Sequence, residues 1–130
     1  MNGIDWIPDT GDIVVSSRHQ SAVMRLSWPE GRIKWILADH GGWYPEYLKY
    51  LLTPQGDGFS WPRLQHSPKV LPDQDGNPDT LDLLIFDNHN LEVDGPNLAK
   101  FPDRYSRLAQ YRIDEKRMTV RLVWDFGRDY

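Results

Sequence analysis

Short apolar runs of strand length, each closed by a turn built on Pro, Gly or Asp, fill both halves of this 130-residue chain. Ile4-Asp5-Trp6-Ile7 ends at Pro8-Asp9-Thr10-Gly11, where Pro and Gly occupy positions suited to a turn. Residues 12–17 carry Ile13, Val14 and Val15 in continuous apolar sequence, the pattern of a buried strand. Arg18-His19-Gln20 leads into 21–28, where Ala22, Met24, Leu26 and Trp28 alternate with Arg25 and Ser27. Pro29-Glu30-Gly31 then turns the chain into a fourth strand at 32–37.

Residues 38–62 break this rhythm. Ala38-Asp39-His40-Gly41-Gly42 reads as a loop, and Tyr44, Tyr47, Leu48, Leu51 and Leu52 have the spacing of two turns of helix over 45–52. The second half repeats the first: strands at 64–71 and 80–87, a polar loop at 88–104, and a hairpin of 105–113 and 117–126 around Asp114-Glu115-Lys116. Four strands, a break and four strands make an internal repeat of roughly 60 residues. Propeller blades read this way, and so do the sheets of a sandwich.

Composition supports an all-β chain and narrows its partners. Six Trp and six Tyr favour strands, and ten Gly with ten Pro imply frequent turns. The net charge is −4 and the basic residues are scattered singly, so no face for nucleic acid is expected. The absence of Cys excludes disulfides and thiolate zinc sites. No apolar run approaches the roughly 18 residues of a membrane span. Met1 is followed by strand-like sequence without a leader pattern, which predicts a cytoplasmic location for the chain as written.

Five motifs agree in order and spacing with one known family. They are Asn2 with Ser16-Ser17-Arg18, Gln65-His66, Phe86-Asp87-Asn88, Tyr105-Ser106-Arg107, and Val123-Trp124-Asp125-Phe126-Gly127. Together they resemble the bacterial arylsulfate sulfotransferases, periplasmic enzymes that pass a sulfuryl group between phenols through a sulfated histidine. The resemblance implies about two four-stranded blades of a six-bladed propeller: a first blade at about 1–37, a connecting loop and short helix at 38–62, and a second blade at about 63–127. It implies no cofactor, no metal and no nucleotide sulfate donor. Phenolic sulfates and phenols are the expected partners, with self-association or association with remaining blades as the protein contacts.

Sulfuryl transfer asks for an in-line nucleophile, donors on the non-bridging oxygens and an acid for the departing phenolate. A neutral imidazole is a competent nucleophile near neutral pH, and Arg offers a fixed fork of donors for a tetrahedral oxyanion. By resemblance, His66 is the transiently sulfated histidine, and Arg18 and Asn2 hold sulfuryl oxygens. Each has a plainer reading as well. His66 can be a hydrogen-bonded residue at a strand entrance, Arg18 an ion-paired surface cation, and Asn2 a frayed terminal residue.

The other motifs are assigned to structure. Tyr105-Ser106-Arg107 reads as an anchor for the hairpin, and His19 and His40 as solvated loop residues. His89 stands where the family usually has Gly after Phe-Asp-Asn, a departure expected to alter that turn. Asp73-Gln74-Asp75-Gly76-Asn77 reads as a solvated turn, because it lacks the Gly and Glu placement of a calcium loop.

In the family the opening motif is His-x-Asn, and its His would precede Met1 here; a further histidine comes from an earlier blade. The expectation is therefore a fragment, weak or inactive alone, from a truncated gene, a misassigned start or a split protein. The alternative is a binding module in which two-blade units assemble and the site serves as an anion pocket.

Overall fold

The computed structural model describes residues 1–89 and 105–127. The protein is all-β, as the strand-length runs predict. Strands β1 (Gly3–Trp6), β2 (Ile13–Ser17), β3 (Ala22–Leu26) and β4 (Ile33–Leu37) form a four-stranded antiparallel sheet in chain order. Strands β5 (Thr53–Gln55), β6 (His66–Val70), β7 (Thr80–Asp87), β8 (Arg107–Asp114) and β9 (Thr119–Phe126) form a second sheet in the order β5-β9-β8-β7-β6. Within it β6 to β9 are an antiparallel meander, and β5 joins β9 in parallel at the far edge.

Three local departures from the sequence reading have physical causes. The segment expected as two helical turns is a 3-10 helix, Pro45–Tyr50, with no buried residue. Tyr44 and Leu48 remain exposed, so no apolar stripe stabilises a longer α-helix. The strand β5 was not expected, because Thr53-Pro54-Gln55 is fully exposed and carries a Pro; an edge position tolerates both. Finally β6 starts at His66 rather than residue 64, because Leu64 takes a left-handed conformation with φ 51°. From residue 90 onward the expected polar loop at 88–104 lies outside the described residues.

The core lies between the two sheets. Strand alternation directs Val14, Val23, Trp35 and Leu37 from the first sheet against Leu83, Ile85, Ala109, Tyr111, Ile113 and Val120 from the second. A second cluster, Ala22, Ile36, Ala38 and Leu51, lies on the other side of the first sheet under Trp43, Tyr47 and Tyr50. The polar partner of Val23 on β3, Arg25, therefore faces the interior rather than solvent. It is buried and satisfied, donating from Nε to Asp12 (2.9 Å) and from Nη1 to Glu115 (2.6 Å). Glu115, from the β8–β9 turn, also accepts from Trp35 Nε1 at 2.7 Å, so one carboxylate ties the two sheets together. A buried charge without such partners would be strongly unfavourable.

At the opposite end the sheets approach still more closely. The first residue of β1, Gly3, has no room for a side chain: a Cβ there would lie 2.5 Å from Pro68 Cδ and 2.8 Å from the Ser67 nitrogen. Gly3 thus permits β1 and β6 to run side by side. The outward faces keep apolar residues exposed, Ile4 and Trp6 on the first sheet and Leu108, Trp124 and Phe126 on the second. Among the described residues, no helix is long and apolar enough to cross a membrane.

Substituting Gly3→Ala is expected to destabilise the fold by about 1–3 kcal/mol, the usual cost of overpacking a close contact. Urea denaturation measures it, and an unchanged midpoint would show that β1 and β6 do not need this approach.

Candidate functional site

The strand β6 opens on His66, and its backbone there is irregular. His66 pairs with Phe86, but the next pairing is Lys69 with Leu84, so β6 carries one more residue than its partner over that span. This is a bulge, a device that re-aims a side chain. Leu64 and Ser67 on either side have φ of 51° and 55°. Non-glycine residues in that region cost energy and persist only where surrounding contacts over-determine them. The half-buried imidazole stacks on Phe86, with ring centroids 4.7 Å apart, and its Nδ1 lies 2.9 Å from Ser67 Oγ.

Those surrounding contacts come from the sequence motifs. Gln65, fully buried, gives its backbone oxygen to two donors: Asn2 Nδ2 at 2.8 Å and Ser16 Oγ at 3.2 Å. Its side-chain Nε2 donates in turn to Ser16 Oγ at 3.0 Å and to the Ala22 carbonyl at 3.0 Å, with the Ser17 carbonyl at 3.5 Å. Just upstream, the Leu64 N–H donates to Ser21 Oγ and the Leu64 carbonyl accepts from Asn88 Nδ2. The β2–β3 turn that carries Arg18 is thereby held against the residue preceding His66. Arg18, half-buried, follows Ser17 directly, as His66 follows Gln65.

Asn2 does not fray. Its backbone N–H donates to the Ser16 carbonyl at 3.0 Å while its side chain holds Gln65. An Asn amide carries two N–H groups, so the one given to Gln65 leaves the second for another acceptor. Two buried acceptors in this cluster, Asn2 Oδ1 and Gln65 Oε1, have no hydrogen-bond donor among the described residues.

A second network braces the segment from the other side. The Asp87 carboxylate accepts from the Arg63 N–H (2.8 Å), the His89 N–H (2.9 Å) and Arg107 Nε (2.9 Å). Arg107 also donates to Asp125 at 2.9 Å and to Tyr111 Oη at 3.0 Å, and Tyr111 donates to the Ser60 carbonyl at 2.7 Å. Arg107 is therefore the anchor that Tyr105-Ser106-Arg107 suggests, with its side chain 1% exposed. Burial opposes ionisation of Asp87, but the bonds from His89, Arg63 and Arg107 outweigh it and hold its carboxyl below the usual range. Burial likewise pushes the Tyr111 phenol well above its ordinary value, keeping it a neutral donor.

Two histidines differ from their sequence reading. His89 adopts φ 49°, so the turn that glycine would favour is kept despite the larger side chain. Its Nδ1 lies 3.2 Å from Asp87. His40 is exposed, yet its Nε2 lies 2.8 Å from the Leu52 carbonyl and its ring packs on Trp61 at 5.4 Å. The Asp73 turn closes on itself through bonds from the Asp75 and Gly76 N–H groups to Asp73.

Sequence reasoning passed over Gln65 as a clamp, Ser67 as the imidazole's partner, and Gly3. The buried hydrogen bonds of Gln65 and the contact of Ser67 with the imidazole reveal the first two. For Gly3, a Gly inside a strand was the available signal of close backbone approach.

A family model described as Arylsulfotransferase (ASST) matches residues 1–130. The chain belongs to the arylsulfotransferase family. Two curated relatives are named arylsulfate sulfotransferase AssT, from Escherichia coli O6:H1 (strain CFT073) and from Lelliottia amnigena. Each is 30% identical over 146 residues, covering 99% of this chain and 23% of the relative. The chain thus spans about a quarter of the length of the relatives it matches.

Two outcomes check this arrangement. Gln65→Ala should lower stability by about 1–3 kcal/mol, since it strips the Ser16 and Ala22 groups of their buried partner; denaturant titration measures it. The second outcome is a pH dependence. With its folded pKa lowered, Asp87 contributes stability that is full above the ordinary carboxylate range near pH 4 and is lost as pH falls through the folded value. Asp87→Asn should weaken the fold at neutral pH and flatten that acid slope. Identical pH profiles for the two proteins would remove Asp87 from the account.

Proposed function

We propose that this chain carries the sulfuryl-transfer centre of an aryl sulfotransferase, with His66 as nucleophile and Arg18 and Asn2 as ligands of the sulfuryl oxygens. The observation that carries the reading is the convergence of Asn2, the Ser16-Ser17-Arg18 turn and His66 on the Gln65 clamp. It brings the motif residues of three distant stretches to one end of the paired sheets.

In the first half-reaction an imidazole nitrogen of His66 attacks the sulfur of an aryl sulfate. The N–S bond forms as the S–O bond to the aryl oxygen breaks, and the phenolate leaves with the bonding pair and takes up a proton. In the second, an acceptor phenol loses its proton and takes the sulfuryl group, which restores the imidazole. The transition state is loose, so the principal task of the protein is to place donors on oxygens that gather charge. Arg18 supplies a planar fork of donors, and the second amide N–H of Asn2 supplies another.

The two sheets fit this role as neighbouring blades of a propeller, the first at about 1–37 and the second at about 63–127. Their inner strands β1 and β6 run side by side, and the apolar outer faces at Ile4, Trp6, Trp124 and Phe126 are surfaces for further blades. Additional donors and proton carriers from such blades would complete the site, and general acid–base help is typically worth about 10²–10⁴-fold.

The test is release of nitrophenolate from 4-nitrophenyl sulfate, with phenol as acceptor, by the chain and by its His66→Ala and Arg18→Ala variants. Slow release that vanishes with His66→Ala and falls at least about tenfold with Arg18→Ala supports the assignment. Equal release by all three folded proteins would refute it.

A further inference from the structure

The contact between His66 Nδ1 and Ser67 Oγ, 2.9 Å, can run in either direction, because a hydroxyl both donates and accepts. We propose that Ser67 is a positioning residue: its hydroxyl accepts from Nδ1–H of His66 and so presents Nε2 as the nucleophilic nitrogen. This rests on the reading of His66 as the nucleophile. A ring nitrogen already hydrogen-bonded to Ser67 is not available to sulfur, so attack falls to Nε2. A neutral imidazole whose lone pair is on Nε2 carries its proton on Nδ1, and Ser67 Oγ is then the acceptor.

Three further observations point to a built contact. Ser67 is held at φ 55° inside the bulge, a conformation that non-glycine residues adopt only at a cost. The Ser67 nitrogen lies so close to Gly3 that a Cβ there would meet it at 2.8 Å, which fixes the bulge from the side of β1. Phe86 stacks on the imidazole at 4.7 Å, with 23° between the planes, and sets the plane of the ring. With one face on Phe86 and the Nδ1 edge on Ser67, the Nε2 edge has a defined direction. The bond also gains strength during reaction. As sulfur bonds to Nε2 the ring becomes cationic, Nδ1–H becomes a stronger donor, and the Ser67 oxygen stabilises charge that develops only then.

The experiment reads the tautomer directly. Long-range ¹H–¹⁵N correlation of the ¹⁵N-labelled chain at about pH 8.5, where an ordinary imidazole is neutral, reports which ring nitrogen carries the proton. The wild-type His66 is expected as the Nδ1–H form. Ser67→Gly removes the hydroxyl while suiting the left-handed backbone, and should move His66 toward the Nε2–H form that free imidazole side chains favour. Ser67→Asn restores an acceptor in a residue tolerant of that backbone and should bring the Nδ1–H form back. The amide spectrum of each variant establishes that it is folded. Formation of the sulfo adduct from 4-nitrophenyl sulfate should slow about tenfold in Ser67→Gly, in proportion to the lost tautomer, with partial rescue by Ser67→Asn.

A wild-type His66 in the Nε2–H form, or a tautomer unchanged by Ser67→Gly, overturns the role of Ser67 whatever the activity. The expected tautomers without any sulfo adduct would leave Ser67 as the orienting partner and overturn the nucleophile assignment instead.

Discussion

The carbonyl of Gln65 is the point on which this structure turns. It accepts hydrogen bonds from Asn2 and from Ser16, while the side chain of the same residue donates back to Ser16 and to the Ala22 carbonyl. One buried amide side chain and one peptide group thereby join the start of β1, the end of β2, the start of β3 and the start of β6. Together with the Leu64 N–H bond to Ser21 Oγ, they link Arg18's turn to the histidine strand. The hydrophobic core between the sheets stabilises their face-to-face packing, but apolar contact is non-directional and would allow small slides. Buried hydrogen bonds are directional, and leaving one unmade costs more than making one contributes. Register at the site is therefore set by the clamp and general cohesion by the core.

The clamp also explains how the chain sustains local strain. Leu64 and Ser67 both occupy left-handed conformations within four residues of sequence, around a bulge. Above them Asn88 and the Asp87 carboxylate fasten residues 63 and 64, and Arg107 locks Asp87 to Asp125 and Tyr111. At the opposite end of the sheets a different ion cluster, Arg25 with Asp12 and Glu115, ties the first sheet to the β8–β9 turn. The two polar networks bracket the apolar core. Each strained residue thus lies between fixed points, the condition under which strain serves to aim a side chain.

Much of the fold was legible in the sequence, because it rests on periodicity. The strands β1 to β4 and β6 to β9 fall where short apolar runs and turn residues put them, and β7 matches its expected span, Thr80–Asp87. What escaped was set by tertiary context. β5 is three exposed residues with no pattern of their own, drawn into the sheet by pairing with β9. Arg25, which alternates with the apolar residues of β3, faces the interior, because Asp12 and Glu115 neutralise it there. The motif residues mark the stretches that form the candidate site but not their division of labour. Asp87, Asn88 and Arg107 hold the frame, whereas Gln65 and Ser67 stand directly against His66. That distinction depends on which groups are buried and what they bond.

In the proposed reaction the clamp presents His66 as a nucleophile toward an aryl sulfate. The most direct measurement is intact mass of the folded chain after incubation with excess 4-nitrophenyl sulfate, followed by fragmentation to locate any adduct. One sulfo group is expected, placed on His66 and absent from His66→Ala. No adduct on the folded chain, or an adduct that persists in His66→Ala, would contradict it.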